Sequence, residues 1–209
     1  RYTTIIRSVS IASNAVVPTA TPSPAACNGE NGTAALSAKG GDASYTFTST
    51  GGTVTGATLS APAGTYTITA TDGNSCTGTT TVTITEPAAV AVSATPSPAA
   101  CNGENGTAAL SATGGDASYT FTSTGGTVTG STLSAPAGTY TITATDGNSC
   151  TGTTTVTITE PAAVAVSATP SPAACNGENG SAALSATGGD ASYTFTSSGG
   201  TVTEIGRAS

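Results

Sequence analysis

The sequence repeats itself with a period of 74 residues. The cysteines mark the copies: Cys27, Cys101 and Cys175 each begin the string CNGENG, and Cys76 and Cys150 each end the string DGNSC. Over Pro24–Thr95 and Pro98–Thr169 the first two copies differ only where Lys39 becomes Thr113 and Ala57 becomes Ser131. Tandem units of this length contact mainly their sequence neighbours. An enzyme concentrates its chemistry at one place, so the repetition favours a rod, a spacer or a multivalent binding array.

The charge of the chain excludes several classes of partner. The 209 residues carry a net charge of −7, and the stretch from Gly40 to Gly206 holds no Lys or Arg. Binding to nucleic acid or to an anionic membrane surface needs clustered basic side chains, so we expect neither. No apolar run approaches the roughly 20 residues that a membrane-spanning helix requires, so we expect no membrane insertion.

The pattern of apolar residues predicts β-structure throughout. In Thr139–Asp146 the sequence TYTITATD alternates Thr with larger apolar residues, and TTTVTITE at Thr153–Glu160 does the same. Alternation with period two gives a strand one buried and one solvated face. Further strands are predicted at Ala89–Thr95, Thr107–Thr113 and Ser118–Thr124, with a turn at Gly114–Ala117 and a hairpin turn at Asp146–Ser149.

These strands predict an all-β chain of tandem immunoglobulin-like β-sandwich domains, about 74 residues each, forming a rod. The string APAGTYTIT is typical of the tyrosine corner of such folds, in which a Tyr at the start of a late strand bonds to nearby backbone. Tyr66 and Tyr140 occupy that position, with an ordinary core Tyr as the alternative interpretation. Few large apolar residues are available per copy, so a covalent cross-link is expected to support the fold.

The domain organisation follows the period. We expect residues 14–87 to form repeat 1, residues 88–161 repeat 2, and residues 162–209 an incomplete repeat 3, with short Glu-Pro linkers between copies. Residues 1–13 contain SVSIAS, which aligns with the last strand of a repeat. The chain is then either a window on a longer array or a subunit whose leading strand completes the next subunit by donor-strand exchange.

Two cysteines at fixed positions in each repeat predict structural disulfides and an oxidising, extracellular setting. Pairing within each repeat, Cys27 with Cys76 and Cys101 with Cys150, is the simplest arrangement. If AVAVSAT is the first strand of a repeat, however, CNGENG lies at the opposite pole from DGNS, and Cys27 meets Cys150 of the next repeat. Cys175 has no partner within the chain in either arrangement.

No catalytic, cofactor-binding or metal-binding residue is predicted. The chain has no His, and no acid, base and nucleophile occur together in a recognisable motif. Four acidic positions, Glu104, Asp116, Asp146 and Glu160, offer carboxylate oxygens that suit calcium. They do not form a dense DxDxD loop, so we interpret them as solubilising charges.

The order of motifs resembles the SprB repeat of cell-surface adhesins of gliding Bacteroidetes. The resemblance rests on the motifs CNGENG, GGDASYTF, AGTYTITATDGNSC and TTTVTITEP. It covers Cys27–Pro87 and Cys101–Pro161 fully and Cys175–Thr203 in part. The chain departs from the family pattern at Ser44 and Ser118, where the family usually has Pro. The resemblance implies export by the type IX secretion route, a place in long surface filaments of a gliding cell, and no catalytic residue.

We therefore expect a structural, non-enzymatic repeat region of an extracellular adhesin or surface fibre, acting as a stiff spacer that presents a binding tip. Its partners would be neighbouring repeats or subunits of the same fibre. The alternatives are a filament subunit joined by donor-strand exchange and an array that binds surface glycans weakly at many copies.

Overall fold

The computed structural model describes residues 14–203, and every regular element in that range is a β-strand. In the first repeat the strands are β1 (Val17–Ser23), β2 (Gly32–Lys39), β3 (Tyr45–Ser49), β4 (Thr53–Thr55), β5 (Thr58–Ala61), β6 (Gly64–Asp72) and β7 (Thr77–Ile84). In the second they are β8 (Ala91–Ser97), β9 (Gly106–Thr113), β10 (Tyr119–Ser123), β11 (Thr127–Thr129), β12 (Thr132–Ala135), β13 (Gly138–Asp146) and β14 (Thr151–Ile158). Two more follow, β15 (Ala165–Ser171) and β16 (Ser181–Thr187). Residues 14–203 contain no helix long and apolar enough to cross a membrane.

The strand order is that of an immunoglobulin-like sandwich. In the first repeat one antiparallel sheet has the order β1-β2-β5-β4 and the other has the order β3-β6-β7. With the strands lettered A to G in chain order, these are the ABED and CFG sheets of the constant-type fold. The second repeat has the same pair of sheets, β8-β9-β12-β11 and β10-β13-β14. The prediction of tandem immunoglobulin-like domains is confirmed.

The alternation of Thr with apolar residues sets the register between the last two strands of each repeat. In β6 and β7, Thr65 pairs with Thr83 and Tyr66 with Val82, so Thr faces Thr across the strands on the solvent side. The hydroxyls of Thr65 and Thr83 lie 2.9 Å apart. The opposite face of the same strands carries the buried residues Ile68, Val82 and Ile84. A shift of one residue would exchange the two faces, so this pattern specifies the pairing.

The core of each sandwich is small and uses alanine as well as the larger residues. In the first repeat it consists of Ala34, Leu36, Leu59, Ala61, Ile68, Val82 and Ile84, with Phe47, Val54 and Tyr66 packed partly buried against it. The core of the second repeat consists of the equivalent residues, Ala108, Leu110, Leu133, Ala135, Ile142, Val156 and Ile158. Among the large residues of the second repeat, Leu110, Leu133 and Ile142 are buried, whereas Phe121 and Tyr140 are only partly buried.

The contacts divide the described chain into two compact units. Unit 1 holds residues 14–90 together with Gly114–Ser118 and Asp146–Cys150, and unit 2 holds residues 91–113, 119–145 and 151–203. Unit 1 therefore contains the whole first repeat and two loops whose sequence belongs to the second. The boundaries after residues 87 and 161 follow the sequence period and stay a prediction.

The third copy contributes one antiparallel ribbon within unit 2. β15 and β16 pair along their whole length, from Ala165 with Thr187 to Ser171 with Ser181. Every residue of β15 is exposed, and Val166 is 67% exposed. The strand predicted within residues 1–13, with its possible donor role, and the residues from Glu204 onward lie outside the described part of the chain.

Candidate functional site: a cross-linked junction in unit 1

A disulfide joins two cysteines of unit 1 that come from different repeats. Cys27 lies between β1 and β2, and Cys150 ends the hairpin turn before β14. The S–S bond links them across a sequence separation of 123 residues, with their Cα atoms 5.5 Å apart. Cys150 is 8% exposed. Closing a loop of this length corresponds to a stabilisation of about 5 kcal/mol in the chain-entropy model.

This bond corrects the within-repeat pairing that we favoured from sequence. Ala25 donates to the carbonyl of Thr85, which places the Cys27 loop at the end of β7, whereas Cys76 immediately precedes the start of β7. The eight residues of β7 span about 26 Å at 3.3 Å per residue, far beyond the roughly 7 Å limit for the Cα atoms of a disulfide. The alternative pairing of Cys27 with Cys150 is the one in the structure.

The other three cysteines carry free, exposed thiols: Cys76, Cys101 and Cys175. Cys76 and Cys101 therefore do not have the disulfide role predicted for them, and Cys175 is unpaired. The arrangement separates two classes of cysteine. Each early cysteine follows the first strand of a repeat, and each late cysteine ends the hairpin turn between the sixth and seventh strands.

The loop that carries Cys27, residues 27–31, is bound to the segment that follows β7. We call this loop the early loop and residues 86–90 the connector. The backbone N–H of Gly29 donates to Glu86 Oε2 at 2.6 Å, and Asn28 Nδ2 donates to the carbonyl of Pro87 at 3.1 Å. Gly29 has a φ of 80°, a conformation that favours glycine. The Glu-Pro linker is thus fixed to the early loop of its own repeat.

The next residues of the connector bind the Gly-Gly loop, Gly114–Ser118, which also belongs to unit 1. Gly115 donates its N–H to the carbonyl of Ala88 at 2.8 Å. A Cβ atom on Gly114 would lie 2.1 Å from the carbonyl oxygen of Ala89, so only glycine permits this approach. The connector is therefore held by hydrogen bonds on both sides, at Glu86 and Pro87 and again at Ala88.

Two aspartates fix the late hairpin, Asp146–Cys150, to the Gly-Gly loop. Asp146 is 6% exposed; its Oδ1 accepts from the N–H groups of Asn148 and Cys150, and its Oδ2 accepts from that of Asp116 at 3.1 Å. Asp116 Oδ1 in turn accepts from Gly147 and Ser118. The bond to the Cys150 N–H, at 2.8 Å, positions the backbone that carries the disulfide.

The same pair occurs in the first repeat as Asp42 and Asp72. Asp42 Oδ1 accepts from the N–H groups of Ser44 and Gly73, and these bonds hold the pKa of the Asp42 carboxyl below its ordinary value. Hydrogen bonds to the charged form cause such a shift. The equivalent Asp116 and Asp146 were interpreted from sequence as solubilising charges. For Asp72 and Asp146 the signal of a structural role was the Asp-Gly dipeptide that recurs in the string DGNSC.

Both predicted tyrosine-corner residues bond to upstream backbone. Tyr66, in β6, donates its hydroxyl to the carbonyl of Pro62 at 2.9 Å, and Tyr140, in β13, donates to that of Pro136 at 2.9 Å. Each bond ties the sixth strand, strand F of the lettered fold, to the turn that precedes it. Both bonds lie outside the junction.

The acidic residues considered for calcium separate into different contacts. Asp116 and Asp146 engage the backbone of the late hairpin, whereas Glu160 Oε2 accepts from the N–H of Gly103. Among residues 14–203 no group of three or more acidic, Cys or His side chains is placed to hold a metal ion. The carboxylates of the junction bind N–H groups of the protein.

Comparisons with known proteins bear on the repeat and the fold. The family model described as "SprB repeat" matches residues 19–54, 93–128 and 167–202, together more than half of the chain. No match was found among curated proteins.

Among solved structures, the chain is similar to a C-terminal fragment of intimin solved with the intimin-binding domain of its translocated receptor. That likeness has 16% identity and a TM-score of 0.36, over 78% of this chain and 67% of that one. The eight N-terminal immunoglobulin domains of Down syndrome cell adhesion molecule match at 16% identity and a TM-score of 0.35, over 70% of this chain and 25% of that one.

The ectodomain of mouse nectin-like molecule 4 matches at 14% identity and a TM-score of 0.30, over 70% of this chain and 65% of that one. At these levels of similarity the solved structures carry no argument about function. The family matches fall on the three copies that the cysteine period marks, so the chain is a repeat region that belongs to the SprB repeat family.

Proposed function

We propose that the chain is a stiff, non-enzymatic spacer within an extracellular surface adhesin, where it holds a binding region away from the cell. Membership of the SprB repeat family supports the adhesin setting. Export by the type IX route and a role in gliding, which the family resemblance implies, are part of the same proposal.

The observation that carries the proposal is the connector in unit 1. Linkers between domains are flexible when their backbone is free, and they stiffen when proline and fixed contacts restrict them. Here Glu86 and Pro87 accept from the early loop and Ala88 accepts from Gly115. The Cys27–Cys150 bond then covalently closes the same unit. Little freedom is left to the segment between one repeat and the next.

The composition agrees with exposure outside the cell. Disulfides persist in oxidising compartments, which suits the Cys27–Cys150 bond. The net charge of −7 and the exposed Thr residues of the outer strand faces provide a solvated surface with few sites for nonspecific association.

Single-molecule energy transfer between dyes at the two ends of the 209-residue chain tests stiffness. We expect a narrow distance distribution, and a broader one for Glu86→Ala with Cys150→Ser, because these changes release the connector and the cross-link. Glu104→Ala with Cys175→Ser is the matched control, because it removes a carboxylate and a thiol that both lie outside unit 1. A native distribution as broad as that of the released variant would refute the spacer.

A second candidate is weak binding of surface glycans by each copy. A shallow groove in unit 2 is lined by Tyr119, Thr120, Phe121, Val128, Gly130 and Ser131. Aromatic faces beside hydroxyl groups suit the apolar and polar faces of a sugar. Glycan-array binding by the native chain that is lost in Phe121→Ala would favour this function, and no binding to any glycan would exclude it.

A further inference from the structure

Within residues 14–203, both halves of the Cys27–Cys150 junction occur a second time, each without its partner. The early loop recurs around Cys101, where Asn102 donates to the carbonyl of Pro161 at 3.2 Å and Gly103 donates to Glu160 Oε2 at 2.7 Å. The corresponding distances around Cys27 are 3.1 and 2.6 Å. The Cys101 thiol is thus held on the same scaffold as the bonded Cys27, and it is exposed.

The late hairpin recurs around Cys76. Asp72 Oδ1 accepts from the Cys76 N–H at 2.8 Å, and Asp42 Oδ1 accepts from Gly73 at 3.1 Å, the same distances as in the hairpin of Cys150. The Cys76 thiol is exposed, whereas Cys150 is 8% exposed in its bonded state.

The loop next to the Cys76 hairpin makes the same backbone hydrogen bond as the loop next to the Cys150 hairpin. Gly41 donates to the carbonyl of Asn14 at 2.9 Å, as Gly115 does to Ala88 at 2.8 Å. The corresponding loop of the first repeat, which contains Gly41, therefore holds the segment before β1 as the Gly-Gly loop holds the connector before β8. Among the residues that the structure describes, no early loop is bonded to the Cys76 hairpin.

We propose that Cys27–Cys150 is one link of a regular cross-link in which the early cysteine of each SprB repeat bonds to the late cysteine of the repeat that follows. Cys76 is then the site for the CNGENG loop of another repeat placed ahead of it, and Cys101 is the site for a DGNSC hairpin placed after it. The cross-link is directional, since an early loop and a late hairpin present different scaffolds.

The chemistry requires an oxidant. The Cys76 thiolate attacks a small disulfide such as oxidised glutathione, which forms a mixed disulfide and releases one glutathione thiolate. The early-loop thiolate then attacks the Cys76 sulfur, which forms the inter-repeat S–S bond and releases the second. Two protein thiols lose two protons and two electrons in total, and one glutathione disulfide is reduced to two thiols.

Two extended chains test the two sites separately. One carries an additional copy of residues 88–161 between residues 13 and 14, which supplies an early loop for Cys76. The other carries that copy directly after residue 161, which supplies a late hairpin for Cys101. Each extension adds two cysteines. After refolding in a glutathione redox buffer, alkylation without reduction followed by intact mass measurement counts the free thiols.

We expect three free thiols in both extended chains, as in the parent chain, because the two added cysteines are offset by one additional disulfide. In the chain extended at its front, Cys76→Ser should raise the count to four by freeing its partner, whereas the control Cys101→Ser should lower it to two. Five free thiols in an extended chain would overturn the proposal, as would a lower count on Cys76→Ser. These thiol counts do not depend on whether the array serves as a spacer.

Discussion

At the scale of single residues, the junction depends on glycines whose backbone lies so close to neighbouring atoms that no Cβ atom would fit. The Gly-Gly loops place their N–H groups on the preceding segment, at Gly41 in the first repeat and Gly115 in the second. Buried or hydrogen-bonded carboxylates then fix the loops from the other side, through Asp72 and Asp146. Glycine and aspartate in these short motifs therefore act as structural residues.

Gly41→Ala should destabilise the chain more than Gly56→Ala. Both glycines have a φ of 58°, so both variants incur the cost of a left-handed residue, roughly 1–2 kcal/mol. A Cβ on Gly41 would lie 2.3 Å from Asp72 Oδ2 and 3.0 Å from Val16 Cγ2, whereas one on Gly56 meets nothing within 4 Å. Overpacking adds about 1–3 kcal/mol for Gly41→Ala. Urea unfolding followed by circular dichroism measures the difference, and equal midpoints would contradict the contact.

Asp42 should make stability depend on pH in the acid range. Its folded pKa is lowered by the N–H groups of Ser44 and Gly73, so the charged form is favoured in the folded state. Its contribution is complete above the ordinary aspartate pKa of about 3.9 and is lost as the pH falls through the lower folded value. Urea midpoints between pH 5 and pH 2 should fall more steeply for the native chain than for Asp42→Asn; parallel curves would show that the bonds to Asp42 add no stability.

At the scale of elements, the last strand of each complete repeat has one face in the core and one face in solvent. β7 buries Val82 and Ile84 and exposes Thr79, Thr81 and Thr83. The same alternation in β14 produces the same sheet in the second repeat. Since one face carries the large core residues and the other carries Thr, substitutions on the two faces should have very different effects.

Ile84→Ala should cost about 2–5 kcal/mol, because Ile84 is 1% exposed and packs in the core of the first sandwich. Thr81→Ala, on the exposed face of the same strand, should cost no more than about 1 kcal/mol. Thermal unfolding of both variants gives the comparison. A Thr81→Ala variant as unstable as Ile84→Ala would mean that the register of β6 and β7 differs from that described.

The sequence was sufficient for the long strands because their alternation is local. It placed a strand at Thr139–Asp146, where β13 runs over Gly138–Asp146, and it placed the hairpin turn before Cys150. The short β11 and β12 were not assigned, because three- and four-residue strands carry too few positions to show a period. The cysteine pairing depends on which pole of the sandwich each loop occupies, and that follows only from the topology.

The hydrogen bonds that hold the connector within the junction were not predicted from the sequence pattern, for a similar reason. Glu86 and Asn28 are far apart in sequence, and nothing in their spacing indicates that the connector folds back on the early loop. The core alanine Ala61 was also missed, since it lies in the short β5, which was not assigned, although it is fully buried here.

At the scale of the whole molecule, the chain repeats one domain structure. Each of the two complete sandwiches has the same seven strands, the same tyrosine corner and the same early-loop bonds to its Glu-Pro linker. The Cys27–Cys150 bond joins cysteines from successive copies, which a within-repeat disulfide would not do. Stability gained by this cross-link thus couples the integrity of one copy to the presence of the next.

The most direct test of this account is a count and assignment of the free thiols in the native chain. Alkylation without reduction, followed by proteolysis and mass spectrometry on the single Cys→Ser variants, identifies which cysteines react. The account predicts three reactive thiols, Cys76, Cys101 and Cys175, and the release of Cys150 in Cys27→Ser. A single reactive thiol at Cys175, with Cys27 joined to Cys76 and Cys101 to Cys150, would contradict it.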